Sequence, residues 1–230
     1  GGTDSAYLLH AALQCGADIQ AYYVKSQFQP AFELEDAKRL AAQLHAKLTI
    51  LSLDVLSVPH VKENPPDRCY YCKQAIFSTL IRQAREDGYP LVIDGTNASD
   101  CVEDRPGMRA LWELGVRSPL REAQITKQEV RAFSQSQGLF TWNKPAYACL
   151  ATRIAPNESI TERALKQVEE AEKALSACGF SDFRVRVSKD SARLQVTDAQ
   201  MDLVLAQRNK ILELLTPYYS TVTLDLKGRS

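Results

Sequence analysis

The chain has no apolar run approaching the ~18 residues that a membrane-spanning helix needs, so the sequence excludes such a span. It opens without the charged n-region and apolar h-region of a secretory leader, so secretion has no support. Neither sign of charge is in surplus: 28 basic residues stand against 28 acidic ones. That balance argues against a surface that coats nucleic acid, although a local basic patch stays open. The six cysteines are scattered over 230 residues, unlike the dense framework of a small secreted domain. His10, His45 and His60 show no metal-ligand spacing. What is present is ordinary: 45% hydrophobic and 24% charged residues. A chain of this length buries roughly 70–75% of its unfolded surface without a covalent staple. The expectation is a cytoplasmic protein without a membrane partner, built of one large or two modest domains.

The hydrophobic pattern alternates between helix and strand periods. Gly1-Gly2-Thr3-Asp4-Ser5 leads straight into a helical run, Ala6-Tyr7-Leu8-Leu9 with Ala12 and Leu13. A glycine turn entering a buried helix normally follows a strand, so the native chain is expected to begin earlier, with a first strand before Gly1. Strands are predicted at Ile19–Val24, Leu48–Leu51 and, short and buried, Leu91–Ile93. Helices are predicted at Glu33–Leu44, Lys73–Asp87 and Lys127–Gln137, the last with Thr126 as N-cap and Glu129 completing a capping box. This alternation predicts an α/β fold, a parallel sheet covered by helices on both faces. Beyond Pro156 the rhythm changes to a helix at Glu162–Ala177, strands at Phe183–Val187 and Arg193–Val196, a helix at Gln200–Leu215 and a strand at Thr221–Leu226. That pattern predicts a smaller α+β domain, dividing the chain into 1–152 and 153–230.

Four segments carry candidate chemistry. Backbone N–H groups of Gly1, Gly2, Thr3 and Asp4 at a helix start, with the helix dipole behind them, suit a phosphate, and glycine lets it approach; a plain glycine turn is the alternative. Asp94-Gly95-Thr96-Asn97-Ala98-Ser99-Asp100 ends a strand at the sheet edge where ligands bind, and it equally suits an Asx-type turn. Cys69-Tyr70-Tyr71-Cys72 puts two thiols three residues apart at a helix start, where the dipole favours thiolates. A zinc site needs more ligands than this single pair, a redox dithiol is possible but lacks a thioredoxin context, and a buried structural role stays open. Cys149 lies in an irregular stretch four residues before Arg153, a cation that lowers a thiol pKa and can hold a phosphate. For Cys15 and Cys178, each just before a glycine, burial as small hydrophobes is expected. Trp112 and Trp142 are expected to pack.

Together these residues resemble a known superfamily. The opening is similar to the tail of the S-G-G-x-D-S/T loop of the PP-loop ATPases, a Rossmann-like fold whose members adenylate a substrate and release pyrophosphate. Ser118-Pro119-Leu120 with Thr126-Lys127 resembles a second motif, in which the lysine approaches the ATP phosphates. "NPPDRCYYCK", "DGTNASD", "DRPGMRA" and "KPAYACLATRI" resemble one branch across nearly the whole chain, the LarE-type sulfur transferases of nickel-pincer nucleotide synthesis, which serve lactate racemase. The resemblance implies ATP and Mg²⁺ at Gly1, Gly2, Thr3, Asp4, Ser5, Gly95, Thr96, Asn97 and Lys127, with Asp4 assisting the metal. It implies a small-molecule nucleotide substrate, pyridinium-3,5-biscarboxylic acid mononucleotide. Arg105, Arg109 and Arg153 are candidates for its phosphate, each with a surface ion pair as the alternative. Glu172 matches an acid near metal and substrate, with an exposed helix acid as the alternative. In one subtype a cysteine matching Cys149 gives up its own sulfur; in the other three cysteines hold a 4Fe-4S cluster. Cys69, Cys72 and Cys149 supply the three-cysteine pattern, and Cys101 is a weaker fourth candidate. Several subunits are implied as well. A tRNA-thiolating PP-loop enzyme and a nucleotide-binding module without activity are the competing readings, the first disfavoured by zero net charge.

Overall fold

A computed structural model describes residues 2–101 and 106–229. The chain divides into two units, residues 1–61 with 67–147 and residues 62–66 with 148–230.

The first unit begins with helix α1 (Thr3–Gln14), entered at Gly2 as N-cap. Its apolar positions bury Ala6 and Leu9 with Leu40 and Leu139 on one side, and Leu8 with Leu120 and Val130 on another. Strands β1 (Ala21–Lys25) and β2 (Leu48–Ser52) pair in parallel with Ala21 opposite Leu48, linked by helix α2 (Ala31–Gln43). The α/β expectation therefore stands, with β1–β2 as the parallel sheet of this unit among the described residues. Helix α3 (Arg68–Glu86) starts five residues earlier than the apolar period suggests, so both Cys69 and Cys72 lie in its first turns. Helices α4 (Pro106–Glu113), α5 (Pro119–Glu122) and α6 (Lys127–Ser136) complete the unit. The predicted buried strand at 91–93 is instead a single parallel bridge, Ile93 to Arg117, and Leu91 is exposed. Three residues between Pro90 and the Asp94-Gly95 turn leave room for only two ladder bonds, Arg117 N–H to the Val92 carbonyl (3.2 Å) and Asp94 N–H to the Arg117 carbonyl (2.9 Å). A largely apolar cavity of about 510 Å³ lies between α1, β1, α3 and residues 89–95.

In the second unit helix α7 (Glu162–Ala177) buries Leu165, Val168, Ala171 and Leu175, the face its 3.6-residue period marks out. Each fully buried Leu or Val contributes roughly 1.5–3 kcal/mol. Strands β3 (Arg184–Ser188) and β4 (Ser191–Gln195) form an antiparallel hairpin. The helix expected over Gln200–Leu215 is two, α8 (Met201–Ala206) and α9 (Arg208–Leu215). The break falls at Gln207, whose side chain donates to the Cys178 carbonyl (3.1 Å) at the end of α7. Strand β5 (Thr221–Leu224) runs parallel to β4. Residues 62–66 belong here because Asn64 donates to the Ala155 carbonyl (2.8 Å) and Ile160 N–H to the Lys62 carbonyl (2.7 Å).

Cys15 and Cys178 are corrected by the structure: Cys15 is exposed and Cys178 half-buried. Both are C-caps preceding glycines with φ of +72° and +91°, a position where the chain leaves the helix toward solvent. Trp112 likewise is exposed rather than packed.

Candidate functional site

In the first unit the glycine turn, the 94–100 loop and the start of α6 converge on Asp4. The first N–H groups of α1 have no intrahelical acceptor, and the helix dipole adds positive potential there. A Cβ built on Gly2 would meet nothing within 4 Å, so the turn is open to an approaching anion. Gly95 is the opposite case. A Cβ there would lie 2.7 Å from the Ser5 backbone nitrogen and 2.9 Å from the Asp4 carbonyl carbon, so only glycine lets the loop close on α1. Thr3 anchors the turn from below, its hydroxyl donating to the Thr141 carbonyl at 2.8 Å.

Asp4 receives Lys127 Nζ on both oxygens, at 2.8 and 2.7 Å, and Asn97 Nδ2 on Oδ1 at 3.2 Å. Asn97 is buried, and its Oδ1 accepts from Ser99 N–H at 2.9 Å. The Ser99 hydroxyl in turn accepts from the Lys127 backbone N–H at 2.9 Å. Thr126 caps α6 in the predicted capping box with Glu129. Asp94, which the sequence reading placed in the motif without a role, accepts from Thr96 and Ser118 hydroxyls, each at 2.6 Å. Asp4, Ser5, Gly95, Thr96, Asn97 and Lys127 are therefore one constellation; Gly1 lies outside the described residues.

The second unit builds a different group. Cys149 is the N-cap of a 3-10 turn, Leu150–Arg153, and is half-buried. The Arg153 side chain is fully buried. Its Nε and Nη2 donate to the two carboxylate oxygens of Glu172, at 2.8 and 3.1 Å, and Nη1 donates to the Ala148 carbonyl at 2.8 Å. Glu172 is buried rather than an exposed helix acid, and it also accepts the Val185 N–H at 3.0 Å. Arg153 thus clamps the backbone beside Cys149 to α7 and β3, and its guanidinium is spent on that clamp.

Three arginines missed by the sequence reading gather beside it. Burial, with the guanidinium groups of Arg153 and Arg229 nearby, pushes Arg184 down to about 10. The same causes lower Arg186, which donates to the Thr152 carbonyl and to Gln195. Arg229 Nε and the Tyr219 hydroxyl are buried without a hydrogen-bond partner among the described residues. The signal was the alternation Arg184-Val185-Arg186 in a strand, which reads as a solvated face although Arg184 is buried.

The remaining described candidates belong to α3 and α4 of the first unit. Cys69 is exposed at the start of α3, with buried Arg68 donating Nη2 to its sulfur at 3.5 Å, and Cys72 is buried one turn on. Arg109 stacks over the Tyr70 ring at 4.0 Å and pairs with Glu113 at 3.6 Å, the ion-pair alternative for that residue. Arg105 lies outside the described residues. No group of three or more His, Cys, Asp or Glu is set for a metal ion among the described residues. Nor is any helix long and apolar enough to cross a membrane among them.

This is an α/β protein whose loop cluster can take an anion beside an acid-base pair. No family model matches the chain. Its sequence is 36% identical over 231 residues to the pyridinium-3,5-bisthiocarboxylic acid mononucleotide synthase of Lactiplantibacillus plantarum, covering 99% of this chain and 84% of that protein. It is also 36% identical over 233 residues to the uncharacterized protein slr1717 of Synechocystis sp., covering 99% of this chain and 87% of that one. The NMN synthetase structure from Francisella tularensis overlaps 64% of this chain and 85% of its own at 14% identity, with a TM-score of 0.36. The chain belongs to the LarE-type family, that of the pyridinium-3,5-bisthiocarboxylic acid mononucleotide synthase.

Proposed function

We propose that the chain is an ATP-dependent sulfur transferase that converts a carboxylate of pyridinium-3,5-biscarboxylic acid mononucleotide to a thiocarboxylate. The observation that supports this best is the meeting of the Gly2–Ser5 turn, the 94–97 loop and Lys127 around Asp4, in a chain 36% identical over 99% of its length to the synthase. A carboxylate is a poor acyl donor because its leaving group would be oxide. Attack of the carboxylate oxygen on the α-phosphorus of ATP forms an acyl-adenylate and releases pyrophosphate. Sulfur then adds at the acyl carbon and AMP leaves. The open N–H groups of the Gly2–Ser5 turn would cradle the pyrophosphate, and Lys127 would draw charge from it. Mg²⁺, held through Asp4, would supply further charge neutralisation on the phosphates. Arg184, which pairs with Asp182 at 3.9 Å, and Arg186, which donates to the Thr152 carbonyl and Gln195, gather guanidinium charge that suits the substrate phosphate, with Arg105 and Arg109 as the other candidates. Arg153 serves Cys149 as a positioning residue through the Ala148 carbonyl.

For sulfur delivery we favour the three-cysteine arrangement. Thiolates are the natural donors for an iron–sulfur cluster, and Cys69 and Cys72, three residues apart in the first turns of α3, fit that chemistry as a pair. A 4Fe-4S cluster held by Cys69, Cys72 and Cys149 would pass on sulfur taken up from external hydrosulfide, which allows repeated turnover. The alternative is Cys149 as a sacrificial donor: its sulfur takes the acyl group, and elimination leaves thiocarboxylate and dehydroalanine. The reading carries with it a cytoplasmic enzyme of several subunits serving the nickel-pincer cofactor of lactate racemase.

The test is anaerobic. Protein reconstituted with iron and sulfide receives ATP, Mg²⁺ and the biscarboxylate mononucleotide, and thiocarboxylate per subunit is counted beside the mass of the protein. Repeated turnover with Cys149 intact is expected. At most one turnover, with the protein lighter by one H₂S, makes Cys149 the donor. Absence of both thiocarboxylate and pyrophosphate would overturn the function.

A further inference from the structure

We infer that Asp4 and Lys127 form a counter-ion latch, in which each side chain blocks the other's ligand until a divalent cation and a pyrophosphate group arrive and exchange partners with them; this rests on the nucleotide site proposed above. Lys127 Nζ sits 2.8 and 2.7 Å from the two oxygens of Asp4, and Asn97 adds a donor at 3.2 Å to one of them. A Mg²⁺ ion ligates a carboxylate oxygen at about 2.0–2.1 Å, a place it cannot share with an ammonium lying across both oxygens. The ammonium has three donors, and two of them point at Asp4, so it cannot serve phosphate oxygens fully while the pair is closed. The pair and the loaded site are therefore alternative states of the same two residues.

The surrounding structure confines the exchange to side chains. The backbone of Asp4 is pinned where Gly95 presses on it, and a Cβ on Gly95 would come within 2.9 Å of its carbonyl carbon. The backbone of Lys127 is pinned by its N–H to the Ser99 hydroxyl at 2.9 Å and by the capping box just before it. What can move is the four-carbon stem of Lys127 and the carboxylate of Asp4, which are 32% and 27% exposed and so reachable from solvent. A pyrophosphate group that draws Lys127 away leaves Asp4 as an uncompensated anion beside it. Asp4, so exposed, would hold a divalent cation, whose charge would restore neutrality. Each ligand thus removes the obstacle to the other, and their binding is positively coupled through the protein.

The test measures each ligand alone, in the full chain. Calorimetry with MgATP comes first, because absence of binding overturns the nucleotide site and the latch with it. Where MgATP binds, Mn²⁺ binding without any anion is followed by electron paramagnetic resonance, and pyrophosphate binding is followed in chelator. Lys127→Met is expected to tighten Mn²⁺ roughly fivefold, the scale of a partly exposed ion pair. Asp4→Asn is expected to abolish Mn²⁺ binding while tightening metal-free pyrophosphate by a similar factor. Lys127→Arg separates the latch from a simple field effect. It keeps the charge but offers a planar fork that holds a carboxylate more firmly, so Mn²⁺ should bind more weakly than to the unmodified protein. Mn²⁺ affinity unchanged in both Lys127 variants would refute the latch while leaving the nucleotide site standing. If Lys127→Met does not fold by circular dichroism, Lys127→Arg decides the question alone.

Discussion

Two glycines a short distance apart carry opposite demands. At Gly2 an added methyl enters open space, whereas at Gly95 it meets the backbone of Ser5 at 2.7 Å. Gly95→Ala should therefore cost about 1–3 kcal/mol in denaturant unfolding, the range for forced overpacking. Gly2→Ala should stay within about 1 kcal/mol, the scale of an N-cap change, yet weaken MgATP by filling the approach to the turn. Equal destabilisation by the two would remove the packing argument. The buried Arg153–Glu172 pair makes a second demand. Arg153→Met leaves a buried carboxylate facing no guanidinium fork and should destabilise by about 3–5 kcal/mol. Pairing it with Glu172→Met should recover part of that loss, because the isolated charge is removed as well. A double variant no more stable than the single one would mean that Glu172 owes its place mainly to the Val185 N–H.

Helix α6 matters because its first residue is Lys127, so its N-terminal cap fixes where the ammonium starts from. Thr126→Ala should cost about 1 kcal/mol and weaken MgATP together, since the frayed turn no longer aims Lys127 at Asp4. Glu129 makes this cap sensitive to acid. Its carboxylate accepts the backbone N–H and hydroxyl of Thr126, which hold its pKa below the ordinary value. A depressed carboxylate pKa stabilises the fold above the unfolded value of about 4.3 and loses that contribution as pH falls through the folded one. The gap in melting temperature between the unmodified protein and Glu129→Gln should be open at neutral pH and close in acid below that window. A gap that persists there would assign the effect to side-chain packing. The split between α8 and α9 belongs to the same scale: the apolar period runs through Gln207, and the break comes from a hydrogen bond to Cys178, 29 residues away.

For the whole molecule, equal numbers of basic and acidic residues mean that recognition depends on where charge is focused, not on its total. The second unit concentrates arginines around Arg184 while the chain as a whole stays neutral. Pyrophosphate release with the mononucleotide substrate should therefore be indifferent to added tRNA and change little between low and physiological salt. Strong stimulation by tRNA, lost steeply with salt, would favour the tRNA-thiolating reading. Inorganic phosphate should raise the melting temperature by binding the folded state at those arginines, and Arg184→Met with Arg186→Met should abolish the shift.

The sequence by itself determined what depends on neighbours in the chain. The glycine turn into α1, the Thr126–Glu129 box, the buried face of α7 and the order of helices and strands are all local patterns of period, cap and turn. It also carried the motifs that place the chain in its family. Tertiary structure decided what depends on distant residues meeting. Asp4 and Lys127 are 123 positions apart, and nothing local to either says that they pair. Residues 91–93 have the composition of a buried strand, yet too few partners flank them to build more than one bridge. Glu172 and Arg184 look solvated in a one-dimensional pattern and are buried, Glu172 because α7 brings it to the Arg153 guanidinium and Arg184 despite the like charge of Arg153 nearby. Local propensity acts over a few residues, whereas desolvation and charge pairing depend on the whole surroundings of a side chain, and those exist only once the chain has folded.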